Sequence, residues 1–222
     1  MYMQRDLRIL IVDDHPMTVN GYINVLRNEN IEGHNLIFTK ALDCQQAYEL
    51  ITTQHFDIAY LDLSLPPYEE KNITSGLDLG VLIRETIPDC VVIILTMHSE
   101  ATLVDRLIKE INPDGILCKS DIDIDEFVNA FKIIFEGERY MSSKIVKSLR
   151  DKDFDKYNLD NYDRQILMRL SEGILTKNIP NYVPLSLSAI EKRKANLKSM
   201  FLEGKAGDDH DLIEAIKKIG IL

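Results

Sequence analysis

Apolar and polar positions follow two different periods along the first 136 residues. LRILIV (7–12), NLIFT (35–39), DIAYL (57–61), VVIILT (91–96) and GILC (115–118) are apolar at successive positions and too short for helices. Such runs are expected of strands buried on both faces. Between and after them, Met17–Arg27, Cys44–Ile51, Leu77–Thr86, Leu103–Ile111 and Ile122–Phe135 carry helical spacing. In the last, Ile124, Phe127, Val128, Phe131 and Ile134 or Phe135 fall on one stripe. Five repeats of strand and helix predict an α/β fold built on a five-stranded, doubly wound parallel sheet.

Beyond residue 136 the pattern changes. GERYMSSKIVKSLRDKDFDKYNLDNYD is charged and weakly periodic, with a short helix expected near Lys144–Leu149, and reads as a linker. An all-helical unit follows. Ile166, Leu167 and Leu170 make an apolar stripe that stops at Gly173, a natural helix end. Ser188 and Glu191 have capping-box spacing, which predicts a long helix starting near Ala189. Its inward face is Ile190, Leu197 and Phe201, and its outward face includes Glu191, Lys194, Ala195 and Lys198. DLIEAIKKIGIL then predicts a last amphipathic helix. The expected organisation is a domain over 1–136, a linker over 137–158 and a small all-α domain over 159–222.

Charge supports this division. The 222 residues carry a net charge of -10, but from Asp155 onward eleven Lys/Arg face ten Asp/Glu. That third is therefore near +1 and the remainder near -11, so the two parts have different work to do. Cys44, Cys90 and Cys118 lie in apolar surroundings at spacings that match no metal motif, as small buried hydrophobes do in a reducing compartment. No signal-peptide cleavage site follows MYMQRDLRILIV, and no apolar run is long enough to cross a bilayer. A cytoplasmic protein without membrane contacts is expected.

A doubly wound sheet places its ligand site outside the carboxyl ends of its strands, so the polar residues there carry the chemistry. The first strand runs into Asp13 and Asp14, the third ends at Asp62, the fourth at Thr96 and the fifth at Lys119. Three carboxylates at one sheet edge repel one another unless a cation neutralises them. Mg²⁺ suits such a site, being a hard ion that accepts few carboxylates and keeps several waters. Lys119 and Thr96 add a positive charge and a hydroxyl for the oxygens of an incoming anion. Asp62 is then a nucleophile toward phosphorus, with Mg²⁺ and Lys119 stabilising charge on the transferring group.

With these residues in place, 6–136 resembles the receiver domain of two-component response regulators, a flavodoxin-like fold, through ILIVDDHP, IAYLDLSLP, VVIILT and DGILCKSD. The resemblance implies that Asp62 is the phosphoacceptor of a sensor histidine kinase, and that the receiver catalyses only its own phosphoryl transfer and dephosphorylation. It also implies that Asp13, Asp14, Asp62 and the Ser64 backbone carbonyl hold Mg²⁺, that Thr96 is the switch hydroxyl and that Lys119 is the counter-charge. Pro66 matches the loop proline after the acceptor. Three departures stand out. Ile116 occupies the position of the usual aromatic switch residue. Met97 follows Thr96 where a small residue is common, which predicts slower phosphorylation by small donors and slower loss of phosphate. PYEEKNITSG (67–76) is longer than usual and reads as a tolerated insertion or a partner-responsive element. His15 and His98 flank the site and are expected to tune access rather than to bind metal, whereas His55 is a surface residue.

The tail, read from its residues, fits either a helix-turn-helix or a small protein-binding bundle. Residues 159–201 are similar to the LuxR-type helix-turn-helix of the NarL/FixJ family, with Arg164-Gln165-Ile166-Leu167, Glu172-Gly173, Leu185-Ser186 and Ala189–Leu197 in its motif positions. The linker's GERYMS matches the family as well. This resemblance implies a transcription regulator that binds double-stranded DNA, as a homodimer when active. Glu191, Lys192 and Ala195 would face bases, Lys192, Lys194 and Lys198 would approach backbone or groove, Lys177 would touch phosphate, and Leu212, Ile213, Ile216 and Ile219 would form the dimer face. The alternative is a switch whose diverged tail binds a protein or only dimerises. Pro180 and Pro184 fall in the scaffold helix, which is therefore expected to be short or distorted. LEGKAGDDHD after Phe201 is longer than the family's turn and adds acids near a surface that should meet phosphate.

Overall fold

The computed structural model describes residues 5–29, 31, 33–202 and 206–219. The chain divides into two compact units, Met1–Val146 and Lys147–Leu222.

In the first unit the strands are β1 (Arg5–Val12), β2 (His34–Ala41), β3 (Ile58–Asp62), β4 (Val91–Thr96), β5 (Gly115–Cys118) and β6 (Tyr140–Met141). All pairs are parallel, in the order β2-β1-β3-β4-β5-β6. The helices are α1 (Pro16–Arg27), α2 (Cys44–Thr53), α3 (Gly76–Thr86), α4 (Ala101–Glu110) and α5 (Ile124–Phe135). The doubly wound sheet is thus present with one strand more than the five expected. Two residues of the supposed linker, Tyr140 and Met141, extend the edge beside Gly115 and Ile116. The added strand is held from both sides: the Tyr140 hydroxyl donates to Glu126 at 2.8 Å, and the buried Ser142 hydroxyl accepts from Cys118 N–H at 3.0 Å.

Strand side chains alternate between faces. Leu7, Ile9 and Ile11 of β1 join Tyr60, Ile93, Leu95 and Leu117 in one core layer closed by Val19, Ile23 and Leu26 of α1 and Phe127, Phe131 and Ile134 of α5. Tyr22 and Phe127 stack within that layer at 4.5 Å between ring centroids. Cys44, Cys90 and Cys118 are free and buried. The order reverses between β1 and β3, which makes the carboxyl ends of those two strands the crevice of the sheet.

Arg84 of α3 ties the far end of the sheet together. Its guanidinium donates to the carbonyls of Ile111 (2.9 Å), Cys90 (2.6 Å) and Asn112 (3.1 Å) and to Asp114 Oδ2 (2.9 Å). Truncation to alanine leaves several acceptors without a donor. Arg84→Ala is expected to cost roughly 2–3 kcal/mol in a urea unfolding curve, with the slope unchanged.

The second unit begins within α6 (Ser143–Lys156), far longer than the short helix expected. It continues with α7 (Asn161–Ser171), a 3₁₀ turn (Thr176–Asn181), α8 (Leu187–Phe201) and α9 (Asp209–Lys218). Gly173, at φ 79°, ends the α7 region in the left-handed conformation a glycine adopts freely. The scaffold segment around Pro180 is the distorted element anticipated, a six-residue 3₁₀ turn. A proline cannot donate the hydrogen bond that would carry this segment into an α-helix.

The cap of α8 is Ser186, whose Oγ accepts from Ala189 N–H at 3.3 Å, and not Ser188, which lies in the first turn with its hydroxyl 3.1 Å from that of Ser186. The helix starts two residues early because Ser186 has the extended backbone of a cap (φ -66°, ψ 154°). The face of α9 is also not presented for dimerisation: Leu212, Ile213 and Ile216 are buried with Ile166, Leu167, Ile179, Ile190 and Leu197, and only Ile219 is exposed. A unit this small needs every apolar face it has for its own core. Of LEGKAGDDHD, residues 203–205 lie outside the described residues.

Candidate functional site

The parallel register places Val12 beside Leu61, so Asp13, one step past β1, and Asp62, the last residue of β3, stand at the same edge. Lys119 follows β5, fixed by its N–H to the Thr96 carbonyl at 2.7 Å. Its ammonium bridges the two acids: Nζ donates to Asp13 Oδ2 at 2.6 Å and to Asp62 Oδ2 at 2.7 Å. Burial disfavours charge on Lys119, but these two hydrogen bonds and the carboxylates' charges outweigh it and hold the ammonium's pKa above its ordinary value. The remaining oxygens are occupied by backbone donors. Asp13 Oδ1 accepts from His15 N–H at 3.0 Å, and Asp62 Oδ1 from Ser64 N–H at 3.2 Å. Asp13, Asp62 and Thr96 are buried, and the Thr96 hydroxyl accepts from His98 N–H at 2.9 Å. Tyr22 lies close enough to feel the cluster: burial pushes its hydroxyl pKa up, with Lys119 opposing and the two acids assisting.

Asp13, Asp14, Asp62 and one ammonium leave the cluster with a net charge of about -2, counting three carboxylates against one lysine. Donor atoms of Asp13, Asp14, His15 and Asp62 lie within 4.8 Å of one another. Asp14 Oδ1 is buried without a hydrogen-bond partner, although His15 Nδ1 lies 2.6 Å away. A divalent hard cation fits this set, because it would neutralise the excess charge and satisfy the orphaned oxygen. His15 is 71% exposed and packs against the acids from outside.

Other residues singled out in the sequence have clear places. Ser64 is exposed two residues after Asp62, and the Pro66 carbonyl accepts from Cys44 N–H at 3.1 Å, which ties the loop after β3 to α2. Ile116 is fully buried in β5 between Ile94 and Met141, while Met97 is 60% exposed. The long 67–76 loop is ordered: Tyr68 and Ile73 pair in an antiparallel bridge closed through Asn72 at φ 54°. Tyr68 and Lys71 pack on the Tyr48 ring of α2, and Thr74 N–H and Oγ1 each bind Asp78 Oδ2 at 2.7 Å.

Sequence reasoning missed Gly76. A Cβ there would stand 1.9 Å from the Asp62 carbonyl oxygen, so the start of α3 is pressed against the backbone of Asp62. In the sequence it stood only as the last residue of the 67–76 segment, just before the helix expected from Leu77, a common and uninformative placement for a glycine.

In the second unit Lys177 is exposed on the 3₁₀ turn, and Glu191, Lys192 and Ala195 are exposed on α8. Lys194 and Lys198 are not open. Asp209 of α9 takes both, at 3.0 Å from Lys194 Nζ and 2.8 Å from Lys198 Nζ. Arg193 pairs with Asp160 and Asp163, each at 2.8 Å, with its guanidinium over the Tyr162 ring. Lys192 forms no ion pair among the described residues. Partners such as Asp209, more than ten positions away in the chain, leave no local trace in the sequence.

Residues 9–132 match the response regulator receiver domain. Oxygen regulatory protein NreC of Staphylococcus epidermidis is 25% identical over 205 residues, 86% of this chain and 89% of NreC. Among solved structures, the response regulator RcsB of Salmonella typhimurium superposes with a TM-score of 0.58 at 20% identity, over 96% of this chain and 98% of RcsB. A LuxR-family two-component response regulator from Aurantimonas sp. SI85-9A1 gives 0.57 at 28% identity, over 67% of this chain and 99% of that one. An RcsB–DNA complex gives 0.56 at 20% identity, over 97% of this chain and all of that one. The receiver match spans more than half of the chain, and the lysine-bridged acids stand at the crevice of its sheet: this chain belongs to the response regulator receiver family, with a helical unit after the receiver.

Proposed function

We propose that this protein is phosphorylated on Asp62 by a sensor histidine kinase and then acts on double-stranded DNA as a homodimer, as a transcription regulator. The observation that carries the reading is the Lys119 ammonium bridging Asp13 and Asp62 at the crevice of the sheet. An Asp62 oxygen forms the new P–O bond as the donor's P–N bond breaks, and the electron pair returns to the donor nitrogen, which takes up a proton. Lys119 stands ready to follow the charge that moves onto the phosphoryl oxygens, and the buried Thr96 hydroxyl is the group that turns toward them. Asp13, Asp14, Asp62 and the Ser64 carbonyl would hold Mg²⁺, which supplies charge neutralisation for the transferring group. Ile116 replaces a swinging ring with a buried aliphatic chain, so the Thr96 change passes to β5 through packing.

On the DNA side, Lys192 and Lys177 supply free charge, Glu191 and Ala195 stand on the base-facing side of α8, and Lys194 and Lys198 reach the backbone once released from Asp209. The RcsB–DNA complex shows that a chain of this fold does bind DNA. The ion pairs of Arg193, Lys194 and Lys198 favour the second reading, a tail that binds a protein or only dimerises. Genomic footprinting with the full chain, treated with a phosphoramidate donor and Mg²⁺, decides between them. Lys192→Ala is expected to weaken binding across all sequences and to lower the salt slope by about 1. Absence of salt-sensitive, Lys192-dependent binding would leave only the second reading.

A further inference from the structure

Of the four basic residues in α8, the two furthest along the helix share one acid. Asp209 Oδ2 accepts from Lys194 Nζ at 3.0 Å, and Oδ1 lies 2.8 Å from Lys198 Nζ. Thr176 completes the cage: its hydroxyl donates to Asp209 Oδ2 at 3.2 Å and accepts from Lys194 Nζ at 2.6 Å. Lys198 Nζ also donates to the Gly207 carbonyl at 3.1 Å. One carboxylate thereby pins the 3₁₀ turn, α8 and α9 through their polar side chains. The acid is not the cap of its helix: that is Asp208, which binds Asp211 N–H at 2.9 Å. Burial disfavours charge on Asp209, but its hydrogen bonds from Lys198 and Lys194 prevail and hold its pKa below the ordinary carboxylate value.

We propose that Asp209 is a restraining residue for DNA binding: it occupies the Lys194/Lys198 pair, so a phosphate backbone must displace this carboxylate to gain those two cations. This inference rests on the DNA-binding reading above. Charge placement makes the consequence specific. A lysine already neutralised by a protein acid releases no counterion from DNA when it binds, and contributes neither affinity nor salt dependence. Removing the acid, while keeping its shape, should return two phosphate contacts.

The test is fluorescence anisotropy with the full chain and a short mixed-sequence duplex, between about 50 and 200 mM salt. Asp209→Asn is expected to tighten binding about tenfold or more near 0.1 M salt, and to steepen the salt slope by about 2, since each phosphate contact contributes about 0.9. Adding Lys194→Ala and Lys198→Ala to Asp209→Asn should remove that gain, and Asp209→Glu, which keeps the charge, should not show it. A folded Asp209→Asn protein that binds as the wild type does, or more weakly, overturns the inference, while the DNA reading survives if Lys192→Ala still weakens binding. If neither wild type nor Asp209→Asn binds the duplex, both fail together. Should Asp209→Asn lose its fold by circular dichroism, a second arm decides: in the wild-type background the Lys194→Ala/Lys198→Ala pair must cost less affinity than Lys192→Ala alone, and a larger loss overturns the proposal.

Discussion

Asp62→Asn protein is expected to take up no phosphoryl group from acetyl phosphate or phosphoramidate, with incorporation reduced by more than about 10³-fold, the scale of losing an enzyme's nucleophile. The amide has nearly the carboxylate's shape, so its oxygen can still accept from Ser64 N–H or from Lys119, now 3.2 and 2.7 Å from the two acid oxygens. Its nitrogen donates where an acceptor is needed and has no electron pair to offer phosphorus. Folding should survive, since Lys119 keeps Asp13 at 2.6 Å and the mutual repulsion of three clustered acids falls by one charge. Intact-protein mass spectrometry reads the result directly. A phosphoryl mass increase that persists in Asp62→Asn would move the acceptor elsewhere.

Gly76→Ala is expected to have the largest effect on the fold. The added Cβ would sit 1.9 Å from the Asp62 carbonyl oxygen, 2.8 Å from its carbon and 3.2 Å from the Leu63 Cα, all of them backbone atoms. No side chain can rotate away to make room. Either α3 lifts from the sheet edge, which breaks the Gly76 N–H bond to the Leu63 carbonyl, or β3 shifts and takes Asp62 with it. Overpacking against rigid backbone costs about 3 kcal/mol or more, equivalent to a fall of about 10 °C in melting temperature for a unit of this size. Phosphoryl uptake should fall as well, because whatever shift relieves the clash moves Asp62 relative to Lys119. A melting curve superimposable on that of the wild type would mean that α3 accommodates a methyl group there.

Asp62 and Gly76 differ in how visible they are in the chain. Asp62 is conspicuous in the sequence alone: it ends a five-residue apolar run, and the other runs end beside Asp13, Thr96 and Lys119. Strands buried on both faces must be apolar throughout, so their polar ends stand out, and parallel order brings those ends to one edge. Gly76 carries no such mark, since its requirement arises from the approach of α3 to β3 and not from its neighbours in sequence. The same distinction holds for β6, where Tyr140 and Met141 are too few to show a period and owe their strand to the open edge of β5. Ser186 and Ser188 present the same local chemistry to a cap, and the extended backbone at Ser186 selects between them.

The apolar runs and the amphipathic stripes were enough to determine the receiver's parallel sheet, the alternation of its helices, the acidic edge with its lysine, and the helical character of the tail. Hydrophobic burial and strand or helix period are local properties of a chain, legible in the order of its residues. Partnership between side chains is not local. Only the tertiary structure decided that Lys194 and Lys198 lie on Asp209, that Arg193 lies on Asp160 and Asp163, and that the apolar face of α9 is spent on its own core. Which charges remain free to meet a ligand depends on what each one already touches, because an ammonium held by a carboxylate in the same unit has little left to offer a phosphate.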